Sequence, residues 1–408
     1  MTLLYLPLLI FLIVLAALVR ETFVFTLLYL FLGVYILVRW WSETALNNVR
    51  FKRIFDKRAF PGDVVTVQLE LENGGWLPVL WLQANESLPV ALVGKDIFQV
   101  VTNLGLREKR RFPYQLRPKQ RGYYSIGPLT VMSGDILGLT KARERKGPAE
   151  HIIVYPEVVP LLELKIPSRS PMGSLRDIQP IFEDPTRVRG KRDYVAGDSL
   201  RHVDWKSTAT TGRMQVKLME PSIALQTMFF LNLNENDFPL NSRLYATELA
   251  IVVAASLANW VIERQQSVGL VTNAIDSLQD NAPFQTIQPK KGRAHMMRLL
   301  EVMARASMSH GPTLVELMQR ERPFLAWGTT LIVITGLVNE PLFDELFQAR
   351  RDGLNAMLIL CGFSPKDSMP AQEIRIRAKR FGIPFYHILD RDDLDVWRMP
   401  RTAGGSLK

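Results

Sequence analysis

The chain has 408 residues, a single cysteine and a formal net charge of +10. That length suits two or three domains. One cysteine excludes a disulfide within the chain and any Cys-rich metal site, and Cys361, inside the apolar run AMLILCGF, reads as a small buried hydrophobe suited to a reducing compartment.

The first predicted elements are apolar. Residues 3–19 carry no charge; Arg20 and Glu21 follow, and residues 22–38 form a second apolar run. Each is close to the roughly 20 residues a helix needs to cross the hydrocarbon core. The first run lacks the basic start of a cleaved signal peptide, and a second span follows at once. Residues 1–41 therefore read as a transmembrane helical hairpin. Trp40 and Trp41 fall where an interfacial aromatic belt belongs. Beyond the second apolar run come Arg39, Arg50, Lys52, Arg53, Lys57 and Arg58, a basic excess that suits anionic membrane lipids. The positive-inside rule then predicts a two-pass protein of the inner (plasma) membrane, with both termini and the soluble domains in the cytoplasm.

Residues 49–160 change period. DVVTVQLELEN, LWLQANES, RRFPYQL and GYYSIGPLTVMS read as short strands between Gly, Pro and Asn turns, predicting a membrane-proximal β-sandwich-like domain. Its basic residues, Arg107, Lys109, Arg110, Arg111, Lys119 and Arg121, lack regularly interleaved aromatics, so they read as solvated strand faces and no nucleic-acid partner is expected.

Residues 161–221 combine a proline-rich linker, extended up to Arg192, with the charged stretch RDYVAGDSLRHVDWKSTAT. From 222 to 398 apolar strands alternate with helical patterns: LQTMFFLNLN, a long amphipathic helix over 242–265, SVGLVTNA, RAHMMRLLEVMARAS, a helix beginning near Thr313, TTLIVITG, EPLFDELFQARRD, NAMLILCG, AQEIRIRAKRFG and PFYHIL. This predicts a doubly wound α/β domain on a parallel sheet, with ligands expected beyond the C-terminal ends of its strands. Residues 399–408 read as a flexible tail. No dinucleotide loop, P-loop or nucleophile elbow is present, and His151, His202, His295, His310 and His387 are scattered.

Within the charged stretch, Asp198 is positioned to cap a short helix, SLRHVDW, with Arg201 three residues on. Leu200, Val203 and Trp205 would form its buried side, and Asp204 would pair with Arg192 or Arg213. Three roles are open. The stretch is a structural clasp; a docking surface, since Trp, Tyr and Arg dominate interface hot spots; or an acid–base site of a hydrolase-like enzyme built on Asp198, His202 and Asp204.

The stretch resembles the hallmark of the domain-of-unknown-function 58 family of bacterial and archaeal membrane proteins, carried here by Arg192, Tyr194, Gly197, Asp198, Arg201, Val203, Asp204, Trp205, Thr208 and Ala209. RGYYSIGPLTVMSGDILGL (121–139) and IIVYPEV (152–158) resemble two further family segments. The resemblance implies that the α/β domain is similar to the von Willebrand factor type A fold, whose strand tops often hold a divalent ion. Asn232, Asn234 and Asn236 stand where that family's Asp-x-Ser-x-Ser would fall, Thr313 matches the loop threonine, and Gly336 lies near the second aspartate position. Neutral amides do not offset the dehydration of magnesium, so a degenerate metal site and no cofactor are expected. The family also implies a non-catalytic, membrane-anchored adaptor or scaffold whose partners are a MoxR-type AAA ATPase and other type A-domain proteins, in a chaperone-like or envelope-linked system.

Overall fold

The computed structural model describes residues 22–92, 98–134, 142–161, 183–195, 203–221, 226–279, 281–363 and 368–397, with isolated positions before residue 22. The first expected span and the tail lie outside this set, apart from those isolated positions. Two compact units divide the chain: the first runs to Glu157 and includes residues 300–305, and the second starts at Val158.

The first unit opens with a helix, Thr22–Asn47, whose apolar window has a mean hydropathy of 2.0 and no buried residue. At about 1.5 Å per residue its 26 residues exceed the roughly 30 Å of a hydrocarbon core. The helix does not stop at the expected boundary near residue 41. It runs on for a further turn and a half, where Ser42, Ala45 and Leu46 are buried. Asn48 then ends it, its side-chain amide donating to the Thr44 carbonyl at 2.8 Å.

Strand Val49–Ile54 follows directly and joins Val65–Asn73 and Lys109–Leu116 in a three-stranded sheet. A four-stranded sheet holds Gln99–Leu104, Val79–Glu86, Leu129–Ser133 and Arg143–Lys146. Alternating residues from both, Leu69 and Leu71 against Leu82, Ala84, Leu129 and Val131, share one core with the end of the helix. That is the face-to-face packing of a sandwich. A third small sheet, Arg58–Ala59, Glu150–Val154 and Gly122–Ile126, closes a second core around Val67, Leu116 and Ile126.

One ion pair crosses the sandwich. Arg53 Nε and Nη2 donate to the two Glu86 carboxylate oxygens at 3.0 and 2.8 Å, both side chains almost fully buried. Pro148 O accepts from Arg53 at 2.9 Å, and burial pushes up the pKa of neighbouring Tyr114. Gly127 lies against this pair with φ +103°; a Cβ there would sit 2.8 Å from Arg53 Nη2. The GYYSIGP segment is thus a strand whose closing turn, at Gly127, is fitted around a buried salt bridge.

In the second unit, a six-stranded sheet runs in space Ile287–Lys290, Ser267–Thr272, Gln226–Leu231, Thr330–Thr335, Asn355–Cys361, Phe385–Ile388. Numbered along the chain this is the doubly wound order 3-2-1-4-5-6. Five strands are parallel, but Ile287–Lys290 is antiparallel, so the sheet is mixed. That short edge strand, IQPK, has too little alternation to read from sequence, and its Pro289 belongs at an edge. One face packs helices Leu314–Glu321, Glu340–Arg351 and Ala371–Arg380 on Met228, Phe230, Leu331 and Leu358. Helix Arg243–Glu263 contacts the same strands, and none of its residues joins that cluster. It is not amphipathic as expected: fifteen of its residues are buried, over most of its circumference.

The region read as linker also differs. Residues 162–182 lie outside the described set, but Glu183–Asp193 is a strand paired antiparallel with Gln215–Pro221. Its register slips on both sides of Val188, near Pro185, and those irregularities erase the alternation that marks a strand.

Candidate functional site

Two places hold the residues singled out by the sequence: the hairpin around 191–217, and the carboxyl end of the six-stranded sheet.

In the hairpin, Gly197, Asp198, Arg201 and His202 lie outside the described residues. Residues 199–202, most of the expected helix SLRHVDW, lie outside the described residues too; Val203 stands in a β-bridge, and a helix, Trp205–Thr211, follows with Asp204 as its cap. Asp204 accepts from the Ser207 N–H and hydroxyl, each at 3.2 Å. Its partner is neither Arg192 nor Arg213 but Lys191, whose Nζ lies 2.8 Å from Oδ2 and also reaches the Ser207 hydroxyl. The Lys191 ammonium, then the Ser207 N–H, hold the Asp204 carboxyl down to a pKa of about 2. Lys191 and Arg192 lie on opposite faces of the strand, and the lysine's face is the one that meets the helix.

The backbone ties the same elements together. Asp204 N–H donates to Gln215 O and Tyr194 N–H to Met214 O, both at 2.8 Å. The Thr208 hydroxyl accepts from Gln215 N–H at 3.0 Å and donates to Asp204 O at 2.8 Å, and Gly212 closes the helix in the left-handed conformation. Val203 and Val216 pair across a single bridge and are buried. Trp205 is not. Expected on the buried side, it is 65% exposed, and Val195 is 61% exposed. At the first position of the helix its side chain projects outward, while Val203 fills the space against the strand.

At the sheet, the chain order reverses between Gln226–Leu231 and Thr330–Thr335, and the crevice beyond their ends is where doubly wound folds bind ligands. Asn232 and Asn234 are there, buried. Asn232 Nδ2 donates to Asp237 Oδ2 at 2.6 Å and to the Thr335 hydroxyl at 2.9 Å. Its Oδ1 accepts from Asn234 N–H at 3.1 Å and Asn273 Nδ2 at 2.8 Å. Asn234 accepts from Asn236 N–H and donates to Gly311 O, each at 3.0 Å. Asn273 and Thr335 were not anticipated, although each ends a strand as Asn232 does.

The residues do not fit a divalent cation. The Asn232 carbonyl is already occupied by two N–H donors, and Asn236 is exposed. Thr313 is drawn into a capping box with Glu316 at the start of Leu314–Glu321. Gly336, near the second carboxylate position, has no room for a side chain: a Cβ would lie 2.4 Å from the Phe238 ring. Asp237 is the carboxylate that reaches the cluster, and burial raises its pKa, against the Asn232 hydrogen bond that lowers it. Glu235 turns away to Arg243, 2.9 Å off. Among the described residues, no group of three or more His, Cys, Asp or Glu is arranged to hold a metal ion. Cys361 is fully buried in its strand.

Known proteins bear on these same residues. Residues 190–352 match the family described as "Protein of unknown function DUF58", a stretch that opens in the hairpin strand and takes in the centre of the sheet. The uncharacterized protein YeaD of Bacillus subtilis (strain 168) is 22% identical over 345 residues, covering 81% of this chain and 80% of its own. Both support the resemblance carried by the hallmark. Among solved structures, an aerotolerance-related membrane protein from Bacteroides fragilis, bearing multiple mutations to serine, is similar at 12% identity and a TM-score of 0.30, over 43% of this chain and 96% of that one. The CARDB domain of the PF1109 protein from Pyrococcus furiosus, in complex with di-metal ions, aligns at 12% identity and a TM-score of 0.20, over 26% of this chain and 86% of that one. Structural likenesses of that size fix neither fold nor activity.

Proposed function

We propose that the protein is a membrane-anchored, non-catalytic adaptor whose hallmark hairpin docks a macromolecular partner. Trp205 is the observation that carries this reading. Its neighbours satisfy one another: Asp204, Lys191 and Ser207 form a closed polar set, and Thr208 ties the helix to the strand. A large aromatic left 65% exposed on a scaffold fixed in this way has the character of an interface anchor. Asp204, held at about 2, is a weak base near neutral pH, which counts against the hydrolase reading with Asp198 and His202.

The six-stranded part of the second unit is read as von Willebrand factor type A-like, supported by the order 3-2-1-4-5-6 with an antiparallel edge strand and by the hallmark ahead of its first strand. Its cation position is degenerate in donor chemistry. Through the family resemblance, the partner is a MoxR-type AAA ATPase, alongside other type A-domain proteins. The long apolar helix anchors the body, with the soluble units on the cytoplasmic side.

The test uses the full chain in lipid nanodiscs and a purified MoxR-type ATPase of the same organism. Trp205→Ala is expected to weaken binding at least about tenfold with an unchanged circular dichroism spectrum. Equal binding by the variant overturns docking through the hairpin, and no binding by the wild type overturns the ATPase as partner. A reporter fused after residue 60 checks the orientation; activity on the outer side overturns it.

A further inference from the structure

The first unit holds a cavity of about 330 Å³ where helix Thr22–Asn47 meets the sandwich. Leu37, Val38, Trp41 and Ala45 form one side, and Pro78 and Leu80 are on the other. Ser42 and Ser133 also line it, but both hydroxyls are engaged: Ser42 donates to Arg39 O at 3.2 Å and Ser133 to Trp81 O at 2.7 Å. The Trp41 indole N–H donates to Pro78 O at 3.1 Å. These lining groups have their donors committed, so the cavity offers water few partners and suits hydrocarbon. It is open on one side and roomier than the roughly 150 Å³ of an enclosed apolar cavity that takes up benzene.

The surroundings identify the hydrocarbon. Leu37 and Val38 are the last residues of the apolar run, so the cavity continues the surface that would face the bilayer core. Beside it stand exposed apolar groups of the kind found at a membrane interface: Leu80 at 51%, and Trp40 and Trp76 with ring centroids 6.1 Å apart. Arginines gather at the same end of the helix. Arg39 adjoins Val38, Arg143 pairs with Glu43, and Arg145 donates to the Asn47 and Val49 carbonyls, each at 2.9 Å. Apolar cavity, paired indoles and guanidinium groups thus share one end of the helix, the kinds of group that meet acyl chain, interface and phosphate in a lipid leaflet.

We propose that this cavity seats an acyl chain of a bilayer phospholipid, and that the Trp76–Leu80 end of the sandwich rests in the membrane interface. The inference depends on Thr22–Asn47 spanning the bilayer, and the experiment separates the two. The full chain is reconstituted in vesicles of phosphatidylcholine and phosphatidylglycerol, with a fluorophore attached at Leu80→Cys or, as a solvent control, at Val90→Cys; buried Cys361 stays unlabelled. Nitroxide on the lipid acyl chain near the headgroup is expected to quench the probe at 80 several-fold more than aqueous iodide does, and the order should reverse at 90. Native mass spectrometry is expected to find a retained phospholipid on the wild type that Ala45→Phe, which fills the cavity, loses. Iodide quenching at 80 equal to that at 90, or no retained lipid, overturns the proposal. Extraction of the chain by alkaline carbonate would instead overturn the spanning helix itself.

Discussion

Among the described residues, two helices are long and apolar enough to cross a membrane, and the chain treats them oppositely. Thr22–Asn47 has none of its most apolar window buried by protein, whereas the corresponding window of Arg243–Glu263 is 83% buried. Hydropathy scarcely distinguishes them; what lies around them does. The second helix follows a strand and packs on four strands of its own sheet, and fifteen of its residues are buried, so its Ala and Val residues meet protein. Among its described residues the first is buried only at Ser42, Ala45 and Leu46, and much of its apolar surface is left for a lipid solvent. An apolar helix thus declares that it avoids water but not what replaces the water.

A charge placed in each helix should break or sharpen that contrast, with the largest effect inside the protein. Ala254→Asp buries an unpaired carboxylate where there is no exposed surface, and should cost at least about 4 kcal/mol and unfold the second unit, seen as lost protease resistance. Leu30→Asp, on a residue 59% exposed, should leave both soluble units folded while costing roughly 3 kcal/mol of insertion free energy, seen as a shift out of the membrane fraction. If the two substitutions act alike, the distinction fails.

Charged pairs extend the comparison. Arg53–Glu86 is sealed between two sheets, so Arg53→Met, which strands the carboxylate, should destabilise the sandwich by about 3–5 kcal/mol in denaturant titration. Lys191–Asp204 lies at the surface and should matter less. The folded Asp204 carboxyl sits near 2, below its ordinary value of 3.8, so its stabilisation is present above about pH 4 and is lost as pH falls through 2. Asp204→Asn should flatten that acid limb in a stability-versus-pH series. Smallest of all, Trp205→Ala should change stability by no more than about 0.5 kcal/mol in denaturant titration, because the ring packs on little.

The hairpin shows where sequence reading loses its grip. Its charged residues announced a tied structure, and Asp204 does tie it, but the partner was misjudged because spacing along a chain does not say which side chains a strand presents together. Lys191 wins over Arg192 by facing the helix. The strand Glu183–Asp193 escaped notice because its pairing is irregular, and Ile287–Lys290 because four residues carry too little period. At the sheet, the strand-end amides were visible in the sequence. Their exchange of hydrogen bonds with Asn273, Thr335 and Asp237 came only from bringing three strand ends together.

By itself the sequence determined the apolar run of Thr22–Asn47, and it determined the strand alternation and most of the central sheet because burial imposes periods of two and near 3.6 on local residue choice. It also set the donor chemistry at the strand tips, since an asparagine cannot supply the charge of an aspartate. Tertiary structure alone decided which apolar helix is wrapped by protein, that Phe238 fills the space beside Gly336, and that Trp205 faces outward. Those outcomes depend on groups distant in the chain competing for the same volume, and no local pattern records which of them prevails.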